Sequence, residues 1–454
     1  MITTTIDHQM ILRDLGGGLV LRQARPDDQQ ALASFNAMIH SDFGPENPDS
    51  YVEAWTRDLF SSAHPTFRPT DITIVEDTAT RKIVSSMNLI SQTWTYAGIP
   101  FGVGRPELVG TLPEYRNRGL VRAQFEVAHQ WSAERGEKIQ AITGIPYYYR
   151  LFGYEMTMNL GGGRAGFLSS IPKRPALKDG EVEPYWVRPV LEKDLPFIEE
   201  IYNFASRRQL VSCLRDAAMW RYEWNGKSKD SDARYELRLI ENASGEPVGF
   251  LAHPDFRWGS LMVATCYELK AGISWAEVTP IVLRYMQATG EALGPKHDQE
   301  PFNSFGFLLG SEHPVYELLL DHLPRERRPY AWYVRVPDLP GFLTLLAPAL
   351  EERLANSLFV GHSGELKITF YRDGLRMVFE KGRLTGIESW MPAPVGHAGD
   401  AAFPGLTFLQ LLFGYRSLSE LKYAFADCWT SDPIQHSLLS SLFPKQASNV
   451  WPIS

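Results

Sequence analysis

Two stretches of the 454-residue chain echo one another, and an internal repeat restricts the fold more than any other feature here. Leu21-Arg22-Gln23-Ala24-Arg25-Pro26-Asp27-Asp28-Gln29-Gln30-Ala31-Leu32 runs parallel to Val187-Arg188-Pro189-Val190-Leu191-Glu192-Lys193-Asp194-Leu195-Pro196-Phe197-Ile198. Each copy reads as a short strand, a turn, an Asp at a helix cap and an amphipathic helix. Both lead into stretches where apolar and polar residues roughly alternate, Asp71 to Val84 and Tyr235 to Leu251, the pattern of half-buried strands. Two similar units are therefore expected. The length leaves room for a third, since a domain usually holds roughly 100 to 200 residues.

The run Ser169 to Gly180, rich in Pro, Lys and Ser, reads as a linker between the copies. A second break at Leu323 to Pro329 precedes a strand at Tyr330 to Val336, a helix at Pro340 to Leu354, and strands at Glu365 to Tyr371, Gly374 to Phe379 and Gly382 to Ile387. This third segment is α+β of a different kind from the first two. The Gly16–Gly18 and Gly161–Gly163 triplets are expected as loops between strands.

With 44% hydrophobic and 22% charged residues the chain is composed like a packed globular protein, not a disordered one. No run approaches the roughly 18 apolar residues of a membrane span, and the first residues lack a basic segment followed by an apolar one. Neither a membrane span nor export is expected. Cys213, Cys266 and Cys428 are odd in number and far apart, which excludes a disulfide framework and points to a reducing cytoplasm. None of the 11 histidines has ligand spacing with Cys or a carboxylate, so no metal is expected. The net charge of -8 argues against nucleic acid and mildly favours cationic partners.

The chemistry is concentrated in Pro106-Glu107-Leu108-Val109-Gly110-Thr111-Leu112-Pro113-Glu114-Tyr115-Arg116-Asn117-Arg118-Gly119-Leu120-Val121-Arg122. A strand from Glu107 to Leu112 is ended by Pro113, a basic loop follows, and a helix starts near Gly119 with Val121, Phe125, Ala128 and Trp131 on its buried face. Unpaired N–H groups and the dipole at such a helix start can hold phosphate or pyrophosphate, and Gly119 lets the backbone approach closely. The same residues could instead form an ordinary solvated basic loop. Downstream, Lys138 to Thr143 reads as a strand, and Ile145 to Tyr154 as a short helix ending in Phe152-Gly153-Tyr154.

Arg116-Asn117-Arg118-Gly119-Leu120-Val121 together with Tyr149-Arg150-Leu151-Phe152-Gly153-Tyr154 resembles the GCN5-related N-acetyltransferases (GNAT), whose cofactor loop reads Arg/Gln-x-x-Gly-x-Gly/Ala. Val121 departs from that pattern, but Arg-x-Arg-Gly-Leu-aliphatic-Arg is similar to the enhanced intracellular survival (Eis) branch. The resemblance implies tandem GNAT folds, mixed sheets flanked by helices, followed by an α+β domain similar to sterol carrier proteins. The boundaries expected are a catalytic unit at 1–168, a second unit without a cofactor loop at 185–325, and the carrier-like unit at 330–454. Phe403 to Arg416 and Leu442 to Lys445 match the helices and tail of the third. Gln287-Ala288-Thr289-Gly290-Glu291-Ala292 fits the loop pattern literally but falls inside an amphipathic run, Trp275 to Leu293, so it is expected as helix and the second unit as non-catalytic.

The same resemblance implies acetyl-CoA as cosubstrate, held by the backbone of Val109, Gly110 and Thr111 along the pantetheine arm. Arg116, Asn117, Arg118, Gly119, Leu120, Val121 and Arg122 would surround the pyrophosphate, with Gly144 and Ile145 lining the gap beyond the next strand. Tyr149 matches the family's general acid. A phenol near pKa 10 protonating a thiolate near 8.5 runs uphill by roughly 2 kcal/mol, so hydrogen-bond donation to the developing charge suits it better. The terminal carboxylate of Ser454 and Glu107 stand as alternative bases for the attacking amine. Tyr147 and Tyr148 are expected in a buried aromatic cluster, and His129 at a surface or core edge. The expected function is an acetyl-CoA-dependent N-acetyltransferase of a small cationic amine or a lysine side chain, in a homo-oligomer. The competing reading is a lipid- or acyl-CoA-binding protein using the carrier-like domain without catalysis.

Overall fold

The computed structural model describes residues 11–61, 63–174, 182–295, 300–392 and 399–452. The N-terminal part runs β1 (Ile11–Gly16), β2 (Leu19–Gln23), α1 (Gln29–Ile39), α2 (Ser50–Leu59), β3 (Ile72–Asp77), β4 (Lys82–Tyr96), β5 (Ile99–Thr111), α3 (Leu120–Glu134), β6 (Ile139–Ile142), β7 (Glu155–Leu160) and β8 (Gly163–Phe167). The second copy of the repeat opens β9 (Tyr185–Pro189), α4 (Leu195–Ala205), β10 (Val211–Cys213), α5 (Ala217–Arg221), β11 (Glu236–Asn242), β12 (Pro247–His253), β13 (Leu261–Ala264), β14 (Cys266–Leu269), α6 (Trp275–Ala292), β15 (Ser304–Phe307), α7 (Pro314–Leu319) and β16 (Arg325–Arg327). Then come β17 (Tyr330–Arg335), α8 (Leu339–Leu345), α9 (Ala347–Ala355), β18 (Gly364–Thr369), β19 (Gly374–Glu380), β20 (Arg383–Trp390), β21 (Ala401–Ala402), α10 (Phe408–Leu412), α11 (Leu418–Ala424), β22 (Trp429–Thr430) and α12 (Pro433–Leu442). The class is mixed α+β, with glycine turns at Gly16–Gly18 and Gly161–Gly162 as expected. Among the described residues, no helix is long and apolar enough to cross a membrane.

The repeat is real in three dimensions. Arg22 on β2 donates to Glu76 of β3 (2.8 Å) and to Asp28 (2.7 Å), whose carboxylate also accepts the Arg25 N–H. Arg188 on β9 donates to Glu241 of β11 (2.7 Å) and to Asp194 (2.7 Å), which accepts the Leu191 N–H. Each Asp therefore ties the strand to the turn before its helix instead of capping that helix with its side chain. The arginine bridges two carboxylates in both copies, one of the few ways to keep such charges buried at tolerable cost.

The sheets interlock. The first has the order β1-β2-β3-β4-β5-β6-β17-β7, with β10 against β4. The strand expected at Tyr330 to Val336 thus lies between β6 and β7, although its sequence position suggests the C-terminal segment. In exchange, β8 leaves the N-terminal part to join β13, β15 and β16. The helix expected over Pro340 to Leu354 is two helices, α8 and α9, meeting at Leu346 with Pro348 in the first turn of the second. A proline supplies no N–H to a helix interior but is tolerated at its start.

β4 and β5 form one long hairpin turned at Ala97 (φ 48) and Gly98 (φ 81), both left-handed, as the tightest strand-twist-matched turns require. Its distal half carries Trp94, Tyr96, Phe101 and Val103 into the largest core, against Phe342, Leu343, Leu346, Phe408 and Leu412 of the C-terminal region. The Tyr96 hydroxyl donates to the Leu412 carbonyl at 2.8 Å, so its burial leaves no polar atom stranded. The proximal half of the hairpin carries the site.

Candidate active site

β5 and β6 run parallel and pair at Val103–Ile139 and Gly104–Gln140, then part. The cleft between them, about 800 Å³, is walled by Glu107, Val109, Gly110 and Thr111 of β5 and by Ile142, Thr143, Gly144 and Ile145 after β6. Across from β4, two residues of β5, Leu108 and Val109, oppose the single Met87 between the pairs Ser86–Gly110 and Asn88–Glu107. Leu108 takes φ 50 in this bulge, a local break in the ladder within the stretch of β5 that no longer pairs with β6. Beyond Gly104 the β6-facing edge of β5 thus offers strand-like backbone to a ligand that carries amides.

At the wider end, Pro113–Tyr115 forms a 3₁₀ turn and Asn117 (φ 61) and Gly119 (φ 77) turn the loop into α3. No side chain caps this helix and its first turn holds no acid, so the N–H groups of the first turn and the helix dipole face the cleft uncompensated. Arg116, Asn117, Gly119, Leu120, Val121 and Arg122 line it. Arg118 does not: its guanidinium lies over the Tyr115 ring at 4.8 Å and donates to the Glu114 carbonyl at 3.1 Å. The buried face of α3 is wider than expected, for Phe125 and Ala128 with Val121 and Trp131 pack in one cluster and further residues are buried beside them. Leu120, Ala123, Gln124, Phe125, Val127 and Ala128 are buried, while Val121 and Trp131 are half-buried against the same clusters. The inward turn of Gln124 explains this, for it donates to the Thr73 carbonyl (3.2 Å) and accepts from the Ser85 hydroxyl (2.7 Å), crosslinking helix and sheet.

Tyr149 sits in the 3₁₀ turn Tyr148–Phe152, buried among Phe125, Tyr154 and Tyr333. Burial pushes its phenol well above the ordinary tyrosine value, and the Glu107 carboxylate pushes the same way. Tyr148 is half-buried beside it, but Tyr147 is 71% exposed, contrary to the buried cluster expected. Tyr147 adopts φ 70 and donates its N–H to the Tyr333 hydroxyl (2.9 Å), while the Arg150 guanidinium covers its ring at 4.7 Å. His129 is held at the core edge, bonded to the Tyr154 hydroxyl at 2.9 Å, and burial lowers its pKa to about 4.

Gly144 explains how the phenol reaches the cleft. Its φ is 131, and a methyl placed on it would stand 3.0 Å from the Tyr149 hydroxyl oxygen. Gly144→Ala therefore combines a backbone conformation that L-residues avoid with a close contact against the Tyr149 phenol, and is expected to destabilise the fold by about 1–3 kcal/mol and to lower turnover. Thermal melts and kcat measured side by side check this. Wild-type values for both would refute it.

Glu107 is engaged on both sides. Its carboxylate pairs with buried Arg105 and accepts the Leu108 N–H at 3.1 Å. A residue that the motifs did not single out completes this wall: His40, at the end of α1, lines the cleft with Ile39, Ser41 and Asp42. Its Nε2 is buried without a hydrogen-bond partner. Burial lowers its pKa, opposed by the Glu107 carboxylate and a bond to the Leu108 backbone. Burial thus favours the neutral imidazole, packed beside Glu107. Ser454 lies outside the described residues.

Among the described residues, α6 of the second copy does not repeat the uncapped start of α3. α6 begins with the Ser274 side chain accepting the Glu277 N–H, and Glu277 itself puts a negative charge in the first turn. Gln287 to Ala292 lie within that helix, as expected.

Comparison with known proteins agrees with this geometry. The family model described as the acetyltransferase (GNAT) domain matches residues 23–157. A search of curated proteins finds no match. Among solved structures, a probable N-acyltransferase of Enterococcus faecalis V583, described as a conserved protein of unknown function, is 13% identical, with 95% of this chain and 97% of that one covered at a TM-score of 0.64. A GCN5-related N-acetyltransferase from Kribbella flavida is 18% identical, covering 95% of this chain and 97% of that one at 0.61. Eis1 from Mycobacterium abscessus is 12% identical, covering 96% and 99% at 0.59. The chain shares their fold over nearly its whole length, and residues 23–157 carry the domain of the GNAT acyltransferases.

Proposed function

We propose, from a chain whose residues 23–157 form a GNAT acetyltransferase domain, that the protein transfers an acetyl group from acetyl-CoA to the primary amine of a small cationic molecule, by direct attack in a ternary complex. The observation that carries this reading is the convergence, in one cleft, of an uncapped helix start, a strand edge released from its neighbour, and a buried phenol. Pyrophosphate would take the N–H groups of 119–122 with Arg116 and Arg122 above them. The pantetheine amides would pair with Val109, Gly110 and Thr111, which brings the thioester between Tyr149 and the bulge. One backbone N–H of β5 would polarise its carbonyl.

The amine arrives on the side walled by His40, Asp42 and Glu107. The amine reacts in its deprotonated form, having lost a proton to solvent on binding: its nitrogen lone pair attacks the thioester carbon, the C–S bond breaks, and the sulfur leaves as thiolate under the Tyr149 hydroxyl. The amine's proton leaves toward the wall formed by Glu107 and His40, the carboxylate offsetting the charge. The terminal carboxylate of Ser454 is the competing acceptor. Removing Ile453 and Ser454 is expected to leave turnover within about threefold if the His40–Glu107 pair serves, and a loss of about 10²-fold or more would assign the proton to the terminus. The acidic wall and the charge of -8 support a cationic acceptor.

The deciding experiment is a free-thiol release assay with acetyl-CoA and a panel of polyamines, aminoglycosides and lysine peptides. Thiol release dependent on at least one amine is expected. No turnover across the panel, with a lipid retained in the purified protein, would replace this reading with a binding role for the C-terminal region.

A further inference from the structure

The second copy of the repeat keeps a pocket where the first has its cleft. β13 pairs with β15 in parallel and β14 pairs with β12 antiparallel, so the strand changes partners at Thr265 much as β5 leaves β6. The pocket there is bounded by Ala205 to Gln209 after α4, Thr265 to Glu268, and Leu309 to His313 after β15. These are the counterparts of the 39–42, 107–111 and 142–145 walls of the active site. Its volume is about 70 Å³, and the tail residues Asn449 and Trp451 form part of its wall. That is far too small for a CoA arm but roomy for a solute of a few heavy atoms, since one water needs roughly 10–15 Å³.

The charges in its wall are unevenly matched. Glu268 is held by Arg208 at 2.7 and 2.8 Å, and Glu223 bonds Lys227 at 3.0 Å. Arg215, only 6% exposed, feels Glu223, yet its hydrogen bond goes to the Trp451 carbonyl (3.0 Å), and the Tyr202 and Trp220 rings lie 5.1 and 5.3 Å from its guanidinium carbon. Its Nε has no partner, and neither does the indole Nε1 of Trp220, which is 3% exposed. Both atoms can only donate, so no flip or tautomer satisfies them, and a buried orphan donor costs about 1–3 kcal/mol. Two fixed donors, one cationic, call for an anionic acceptor, and the planar guanidinium suits a carboxylate. Leu237, Ala252 and Leu309 give the rest of the pocket an apolar lining for a short alkyl group.

We propose that this pocket is a second binding site, for a small monocarboxylate of about two to four carbons, received by Arg215 and Trp220. The site is independent of the acetyl-transfer reading, because it shares no residue with the cleft.

Titration of the full-length protein with sodium acetate and sodium propionate, against sodium chloride at equal ionic strength, tests it through ¹³C-acetate line broadening and thermal shift. Saturable binding is expected, unchanged by CoA or by Tyr149→Phe. Trp220→Phe, which keeps the ring and removes only the N–H, should weaken it about tenfold. Arg215→Lys should abolish it, and should that variant fail to fold, the Trp220→Phe comparison decides. The proposal is overturned by absence of saturable binding, by affinity unchanged in Trp220→Phe, or by a crystal structure in acetate with only ordered water against Arg215.

Discussion

Replacing Tyr149 with phenylalanine is expected to lower kcat about 10²- to 10³-fold while the acetyl-CoA KM stays within about twofold. The asymmetry follows from where the hydroxyl stands. The aromatic ring packs against Phe125 and Tyr333 and survives the substitution, so the turn that carries it and the cofactor walls on β5 and α3 are undisturbed. Only the oxygen disappears, next to Gly144 at the mouth of the gap. Burial has already raised this phenol above its ordinary range, so it stays protonated across the working pH, and full proton transfer to a thiolate is more uphill than for a free tyrosine. Its contribution is therefore a hydrogen bond that strengthens as charge builds on sulfur, which lowers the barrier without aiding ground-state binding. Stopped-assay kcat and KM values with a saturating amine check it. A phenylalanine variant with wild-type kcat would remove Tyr149 from the chemistry, and one with a raised KM and normal kcat would make it a cofactor contact.

The readable and unreadable parts of this molecule divide along one physical line. The strand–turn–helix of the repeat is local and was legible as such, although each Asp, expected as a helix cap, instead bonds the arginine six residues before it, Arg22 to Asp28 and Arg188 to Asp194. The loop before α3 is local too, because a proline, a basic turn and a glycine determine how a helix starts within a few residues. What escaped is decided by distant partners. Periodicity marks Tyr330–Arg335 as a strand but carries no record of β6 and β7, nearly two hundred residues earlier, against which it pairs. His40 escaped for the same reason. A single histidine at a helix end reads as surface until the fold brings the β5 bulge against it and buries its Nε2.

That same distant pairing yields the second large effect: a chain ending at residue 168, which contains every residue that lines the cleft, is expected neither to fold cooperatively nor to bind acetyl-CoA. In the intact protein β17 lies between β6 and β7, with Tyr333 and Val334 bonded across to Ile142 and Ala141 on one side and to Met156 and Glu155 on the other. Without it, β6 and β7 face each other across a gap of two strand spacings, about 10 Å, and the turn bearing Tyr149 loses its Tyr333 support. Tyr333 also accepts the Tyr147 N–H and packs on the Tyr149 ring. The loss extends to the core, since Trp94, Tyr96 and Phe101 would be stripped of Phe342, Leu346 and Leu412, exposing a broad apolar face on a ribbon with open edges. Truncation of several such side chains' contacts costs about 2–5 kcal/mol each, more together than a domain's usual margin of 5–15 kcal/mol. Soluble yield, circular-dichroism melts and acetyl-CoA titration of the shortened chain measure this directly. A soluble fragment with a cooperative melt and intact cofactor affinity would show that the first sheet closes without β17, and that the C-terminal region is an attachment to the catalytic unit instead of a part of it.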